Sequence, residues 1–231
     1  KLYDHDKGRF WNPDQAKFLL LERSRVVHKA EAKIQRFIDC CKRIFEATGS
    51  LKYTFVYVPE GNDREGENIL DQYMSAFERT FPGVRCHHYT YQTAERDDVL
   101  DYFEKGAIEV IFSMKCLDEG VDIPRAENAI FCSSTGNPRQ FVQRRGRVLR
   151  THEEKDQANV YDLVVIPYFS NPTEIGRIDK HLMNSELARV VDFAGLSNNY
   201  YEATEEIEDI CNLFGINIHS AAQEVWEMDS D

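Results

Sequence analysis

The densest group of side chains able to do chemistry in this 231-residue sequence is an arginine cluster, QRRGRVLR, at residues 143–150. On a helix, Arg144 and Arg147 share a face, and so do Arg147 and Arg150. Each guanidinium can bond two phosphate oxygens at once, so this row of arginines beside Gln143 suits a polyphosphate. The alternative is a solvated basic helix. Apolar neighbours at 141, 142, 148 and 149 predict partial burial, which is costly for arginines unless an anion binds.

A second candidate is the loop SMKCLDEGVDIP at residues 113–124, which follows a strand-like run. Open parallel sheets bind their ligands at the carboxyl ends of strands. Gly120 permits a tight turn, and Asp122 could accept a hydrogen bond from a ribose hydroxyl. Taken alone, a glycine and an aspartate after a strand are weak evidence for a nucleotide site.

A third candidate fails on its chemistry. The glycines of GNDREGEN, Gly61 and Gly66, have the spacing of the phosphate loop GxxxxGK[ST]. That loop needs a lysine to neutralise phosphate and a hydroxyl to hold magnesium. Glu67 and Asn68 occupy those positions, and a carboxylate repels a triphosphate. We therefore predict an ordinary solvated loop, and a chain that does not hold ATP well by itself.

Cysteines and histidines give no metal motif. The six cysteines form no CxxC pair, which favours free thiols in a reducing cytoplasm over disulfides. His87 and His88 are adjacent, so on a strand we expect them to face opposite ways and not to share a metal. No apolar run reaches the roughly 20 residues that span a bilayer, so no membrane partner is expected.

Strand-like and helix-like segments alternate through the middle of the chain. Residues 14–47 predict a long helix, because they contain no glycine or proline and apolar residues recur every three to four positions. Strands are predicted at 53–58, 84–91, 108–114, 128–134 and 159–166, with helices at 66–81, 94–106 and 138–149. This alternation predicts an α/β fold with a parallel sheet covered by helices on both faces.

The end of the chain differs in charge and pattern. Formal net charge is −12, and residues 201–231 hold nine acids with no lysine or arginine. Such a balance argues against a protein that coats DNA generally. We expect three parts: a linker helix at 1–48, an α/β lobe at 49–167 and an acidic helical appendage at 168–231. The absence of an initiator methionine suggests a piece of a longer protein.

Together the arginine cluster and the loop at residues 113–124 resemble a known family. The series IFSMKCLDEGVDIP, AIFCSSTGN and PRQFVQRRGRVLR is similar to motifs V and VI of superfamily 2 helicases. FVYVPEG (55–61) looks like their motif IV strand, and the resemblance covers about residues 50–166. SSTGNPRQFVQRRGRVLR further resembles the XPB-like branch, which is related to the translocases of type I and III restriction enzymes. The resemblance implies the second RecA-like lobe of such a motor.

The resemblance also implies roles for the arginine cluster. Arg147 and Arg150 would be arginine fingers toward the γ-phosphate of ATP. Gln143 would contact the γ-phosphate or the attacking water. Arg144 would orient the cleft by pairing with an acid, and Arg145 need not have a catalytic role.

Further roles follow for the loops at the ends of the strands. Glu119, Gly120 and Asp122 would approach the nucleotide. Nucleic-acid backbone contacts are implied for five residues: Ser113, Lys115, Thr90, Pro59 and Gly61. ATP and Mg²⁺ would be held mainly by a first RecA-like lobe of the same polypeptide.

The implied partners are nucleic acid, with DNA favoured, and that first lobe. A protein that binds the acidic appendage is a further candidate partner. An alternative is a regulatory or protein-interaction module that has lost turnover. The resemblance argues against lost turnover, because Gln143, Arg147 and Arg150 are all present. A third class, an unrelated nucleotide-binding α/β enzyme, would need a glycine-rich loop that the sequence lacks.

Overall fold

The computed structural model describes the central part of the chain and parts of both ends. The described residues are 3–4, 9–10, 32–63, 65–114, 123–132, 146, 150–165, 186–187, 190–191, 194–195, 197–215 and 217. The chain divides into two compact units. The first comprises Lys1–Ser134 and Arg147–Leu163, and the second comprises Thr135–Gly146 and Val164–Asp231.

A five-stranded parallel sheet forms the centre of the first unit. Its strands are β3 (Thr54–Tyr57), β4 (Cys86–Tyr89), β5 (Val110–Ser113), β6 (Asn128–Phe131) and β7 (Asn159–Asp162), in the order β4-β5-β3-β6-β7. Every neighbouring pair is parallel, as the alternation of segments predicts. A separate antiparallel pair joins β1 (Tyr3–Asp4) to β2 (Arg9–Phe10).

Two helices cover one face of the sheet. They are α1 (Ala32–Thr48) and α2 (Ile69–Thr80), which lie against each other. Four apolar residues of α1 recur at helical spacing and are buried: Phe37, Ile38, Cys41 and Ile44. They enter one core with alternate residues of the strands, among them Val56, Val110, Phe112 and Ile130. Helix α1 is therefore part of the core of this unit.

Helix α3 (Arg96–Glu104) covers the opposite face. Parallel strands joined by right-handed connections place α2 and α3 on opposite sides, because the chain reverses its direction along the sheet between them. The Arg96 guanidinium lies 4.8 Å from the centre of the Tyr89 ring, which fixes α3 beside β4. On the same face the rings of Tyr57 and Phe131 stack at 4.5 Å. The predicted fold with helices on both faces is thus confirmed.

The amino-terminal edge of the sheet is held by a buried arginine. Arg125 is 7% exposed, and its guanidinium lies 3.5 Å from the centre of the Tyr53 ring. It pairs with Glu127 at 2.5 Å and with Glu154 at 3.4 Å. Tyr53 has a φ of 60°, a left-handed conformation that costs an ordinary residue on the order of 1 kcal/mol. The stacked guanidinium offsets part of that cost.

Three sequence predictions either fall partly outside the described residues or differ from the structure. The described part of the predicted helix 14–47 begins at Ala32, and the predicted helix 138–149 lies outside the described residues except for Gly146. The expectation that His87 and His88 face apart is wrong. Their rings stack at 4.8 Å on the edge strand β4, and His87 Nδ1 lies 2.7 Å from the His88 carbonyl oxygen.

The second unit is described mainly by one helix, α4 (Tyr200–Phe214), which ends at Gly215 with a φ of 62°. This helix lies within the segment predicted as an acidic helical appendage. The described cysteines, Cys40, Cys41, Cys86, Cys132 and Cys211, are all free thiols. Within the described ranges no helix is both long and apolar enough to cross a membrane.

Candidate nucleic-acid interface

The carboxyl ends of three neighbouring strands bring most of the predicted backbone-contacting residues to one edge. In the sheet register Ser113 lies opposite Tyr89 on one side and Tyr57 on the other. Thr90 directly follows β4, and Pro59 lies two residues beyond the end of β3. Ser113, Thr90 and the turn from Pro59 to Gly61 therefore lie along one edge. Lys115 is outside the described residues.

Ser113 is buried at this edge, with 1% of its surface exposed. Its carbonyl oxygen accepts a hydrogen bond from the Val58 amide at 2.9 Å, which extends the pairing of β3 with β5. Its hydroxyl contacts the Met114 carbonyl at 3.4 Å. In this arrangement Ser113 shapes the edge, and its predicted phosphate contact remains a prediction.

Thr90 is also buried, at 5% exposed, and its polar atoms are used within a turn. Its amide donates to the Thr93 hydroxyl at 2.8 Å, and its own hydroxyl accepts from the Gln92 amide at 3.2 Å. Hydroxyl-to-amide bonds of this kind hold a tight turn. The turn leaves the Tyr91 side chain 68% exposed at the end of β4.

The glycine-containing loop between β3 and α2 is closed on itself. The Ile69 amide donates to the Gly61 carbonyl at 3.1 Å, and Asn68 caps α2 by accepting from the Leu70 amide at 2.9 Å. Gly61 has a φ of 95°, which favours glycine at this turn. Pro59, just before it, is buried.

Asp63 accepts hydrogen bonds from the backbone amides of this loop. One carboxylate oxygen accepts from the amides of Glu65 and Glu67, each at 2.9 Å, and the other accepts from the Gln72 side chain. Desolvation opposes ionisation, but these hydrogen bonds outweigh it and lower the pKa of Asp63. The loop amides are thus used by the protein's own anion, which agrees with the prediction of an ordinary loop.

An open cleft of about 610 Å³ adjoins the same edge. It is lined by Tyr89, Thr93, Glu95, Arg96, Asp97 and Asp98. Arg96 is not among the residues that the sequence predicts for a site, although it is the one basic residue in the acidic run AERDDVLDYFE. Arg96 could attract a phosphate, but the three carboxylates beside it oppose one. The cleft therefore adds little to the predicted interface.

Most residues predicted to meet the nucleotide lie outside the described residues. These are Glu119, Gly120, Asp122, Gln143, Arg144 and Arg147. Arg150 is described and its side chain is exposed. Among the residues with described positions, no three His, Cys, Asp or Glu side chains come together as metal ligands.

Residues 33–152 match the family described as the helicase conserved C-terminal domain. This range includes β3 to β6 and the arginine cluster. The chain belongs to that family. The resemblance to superfamily 2 helicases is thereby confirmed, and with it the RecA-like character of the lobe.

Two curated relatives are a translocase and a putative helicase by name. The DNA 3'-5' translocase XPB2 of Sulfurisphaera tokodaii is 43% identical over 68 residues, which cover 29% of this chain and 16% of that protein. The putative ATP-dependent helicase IRC3 of Saccharomyces cerevisiae is 25% identical over 153 residues, 64% of this chain and 22% of that protein. The chain thus spans about a fifth of the length of the curated relatives it matches.

A solved structure is also similar. It is the ATP-dependent type ISP restriction-modification enzyme LlaBIII bound to DNA, with 20% identity and a TM-score of 0.40. The similarity covers 64% of this chain and 11% of that one. The XPB2 relative belongs to the branch that the SSTGNPRQFVQRRGRVLR segment resembles.

Proposed function

We propose that this chain is the second motor lobe of an ATP-dependent nucleic-acid helicase or translocase that acts on DNA. The observation that carries the proposal is the family match over residues 33–152, which contains the QRRGRVLR cluster. The parallel sheet supports it, because such sheets bind ligands at the carboxyl ends of their strands.

In this proposal Arg147 and Arg150 donate hydrogen bonds to the γ-phosphate and stabilise charge that develops on the transferred phosphoryl group. An arginine finger is worth about 10³–10⁵ in rate. Gln143 contacts the γ-phosphate or orients the attacking water, and Arg144 orients the cleft through an acid. Glu119, Gly120 and Asp122 approach the nucleotide from the loop after β5.

ATP and Mg²⁺ are held chiefly by a first lobe of the same polypeptide. Two observations support this division. The sequence has no complete phosphate loop, and in the loop with similar glycine spacing Asp63 already accepts the amide hydrogen bonds. A carboxylate in that position repels a triphosphate.

Nucleic acid contacts the carboxyl edge through its sugar-phosphate backbone. The contacting residues are Ser113, Lys115, Thr90, Pro59 and Gly61. A net charge of −12 is compatible with this, because only one groove needs to be positive. DNA is favoured because the relative with 43% identity is a DNA translocase by name.

The test is ATP hydrolysis by the longer polypeptide that carries both lobes, measured with double-stranded DNA, single-stranded DNA and RNA over a range of salt. We expect stimulation by DNA that weakens steeply as salt rises, since backbone contacts release counterions. Stimulation by RNA alone would overturn the DNA assignment. Absence of stimulation by any nucleic acid would overturn the motor.

A second candidate is a protein-interaction or regulatory module without turnover. Helix α4 favours it, because residues 200–214 contain five acids and no lysine or arginine, and Tyr201 is 83% exposed. The two candidates differ in ATP hydrolysis, which only the motor performs. Free thiols at the described cysteines support a reducing compartment such as the cytoplasm for either one.

A further inference from the structure

The segment that carries the arginine cluster follows Cys132 in the sequence, and described contacts hold Cys132. Cys132 follows β6 and is fully buried. Its amide donates to the Tyr57 carbonyl at 2.8 Å. Its carbonyl accepts a hydrogen bond from the Lys33 ammonium at 3.0 Å, across 99 positions of the sequence. The orientation of the peptide that begins the arginine segment is thus set by β3 and by α1.

Lys33 is an unusual residue for this location. It is 3% exposed, near the start of α1, where the other inward-facing residues are apolar. Burying an ammonium group is costly, and a methionine would fill similar space without that cost. The hydrogen bond to Cys132 is a contact that a methionine could not make, and it gives the lysine a directional role that packing alone does not require.

The other end of the segment is held by a second contact. His152 lies two residues after Arg150, and its Nε2 is 2.6 Å from a carboxylate oxygen of Glu104, the last residue of α3. His152 Nδ1 accepts from the Glu154 amide at 3.1 Å, so Nε2 carries the hydrogen and donates it to Glu104. The Lys155 amide donates to the His152 carbonyl at 3.1 Å.

We propose that Lys33 and the Glu104–His152 pair are positioning residues that hold the two ends of the arginine segment. Lys33 acts through the Cys132 carbonyl, and Glu104 acts through His152. The inference rests on the proposed function, because it concerns the placement of Arg147 and Arg150 toward ATP. A misplacement of about 1 Å in a catalytic group can cost about 10²-fold in rate.

The first experiment compares matched variants of the two-lobe polypeptide. Lys33→Met removes the ammonium and keeps the length of the side chain, and Lys42→Met is its control because Lys42 is exposed on the same helix. Glu104→Gln tests the other end, with Asp101→Asn, also exposed on α3, as its control. We expect Lys33→Met to lower kcat of DNA-stimulated ATP hydrolysis roughly 10- to 100-fold with KM for ATP little changed. Glu104→Gln should lower kcat less, and the controls should match the parent.

A double-variant cycle with Arg147→Ala separates positioning from a general structural role. If Lys33 and Glu104 act through the arginines, their substitution changes kcat little once Arg147 is absent. A structural role would lower the active fraction by the same factor in both backgrounds. Equal fold-reductions in kcat with and without Arg147 would overturn the inference. So would kcat values of the variants equal to those of their controls.

Two further outcomes are decisive. Glu104 is 45% exposed, so Glu104→Gln keeps the inference testable if Lys33→Met does not fold. A parent that hydrolyses ATP and depends on Arg147, but whose kcat is indifferent to Lys33 and Glu104, overturns this inference alone. A parent without stimulated turnover overturns the proposed function and the inference together.

Discussion

A single carboxylate, that of Asp63, organises the loop between β3 and α2. It accepts hydrogen bonds from the amides of Glu65 and Glu67 and from the Gln72 side chain. The sequence argues against phosphate binding here, because Glu67 and Asn68 replace the required lysine and hydroxyl. The structure adds a second reason, which residue spacing does not reveal: the amides of Glu65 and Glu67 already donate to Asp63.

Replacement of Asp63 should destabilise the protein in a pH-dependent way. The folded-state pKa of Asp63 lies below its unfolded value of about 3.9, so its ionisation stabilises the fold above about pH 4. We expect Asp63→Asn to lower the free energy of unfolding at pH 7, measured by urea denaturation. The difference in the free energy of unfolding between the parent and Asp63→Asn should narrow as pH falls below about 4, through the folded-state pKa of Asp63. The exposed Asp156→Asn is the control, and a gap that stays constant down to pH 3 would contradict the prediction.

Arg125 should be far more important for stability than an exposed arginine. Its side chain is 8% exposed and contacts Tyr53, Glu127 and Glu154. Arg125→Met leaves Tyr53 in its left-handed conformation without the stacked guanidinium, and we expect a loss of about 1–3 kcal/mol in the free energy of unfolding. Arg36→Met, at a side chain 75% exposed, should change it by less than about 0.5 kcal/mol. Similar losses in the free energy of unfolding for both variants would contradict a special contribution of the buried Arg125 contacts to stability.

At the scale of elements, the kind and sequence of strands and helices were predictable, and their ends were less so. The predicted helix 66–81 is observed as Ile69–Thr80, because Asn68 caps its start. The predicted strand 84–91 shortens to Cys86–Tyr89, because Thr90 turns the chain through Thr93. Strand order depends on pairings between distant residues, which periodicity does not contain. The burial of Ser113 and Thr90 also depends on that packing.

The cap of α2 provides a test of these local rules. Asn68→Ala removes the side-chain acceptor of the Leu70 amide, and we expect a loss of about 1 kcal/mol in the free energy of unfolding. Asn68→Asp retains an acceptor and should stay close to the parent. Chemical denaturation of the three proteins measures both values. Equal stability of the alanine variant and the parent would show that the cap is unimportant here.

At the scale of the whole molecule, the sequence predicted the family more directly than the site. The motif resemblance depends chiefly on residues 111–150, and the family match covers residues 33–152. The roles of Gln143 and Arg147 depend on a nucleotide that another lobe would hold. They are proposals that follow from family membership and from the chemistry of guanidinium with phosphate.

The most direct test of the central claim is the rate of DNA-stimulated ATP hydrolysis by the two-lobe polypeptide with Arg147→Ala. Arg145→Ala is the matched control, since it removes the same charge two residues away at a position with no expected catalytic role. The proposed motor predicts that kcat falls about 10³-fold or more for Arg147→Ala and changes little for Arg145→Ala. Equal rates for parent and Arg147→Ala, in proteins that fold alike, would contradict the assignment of an arginine finger to this chain.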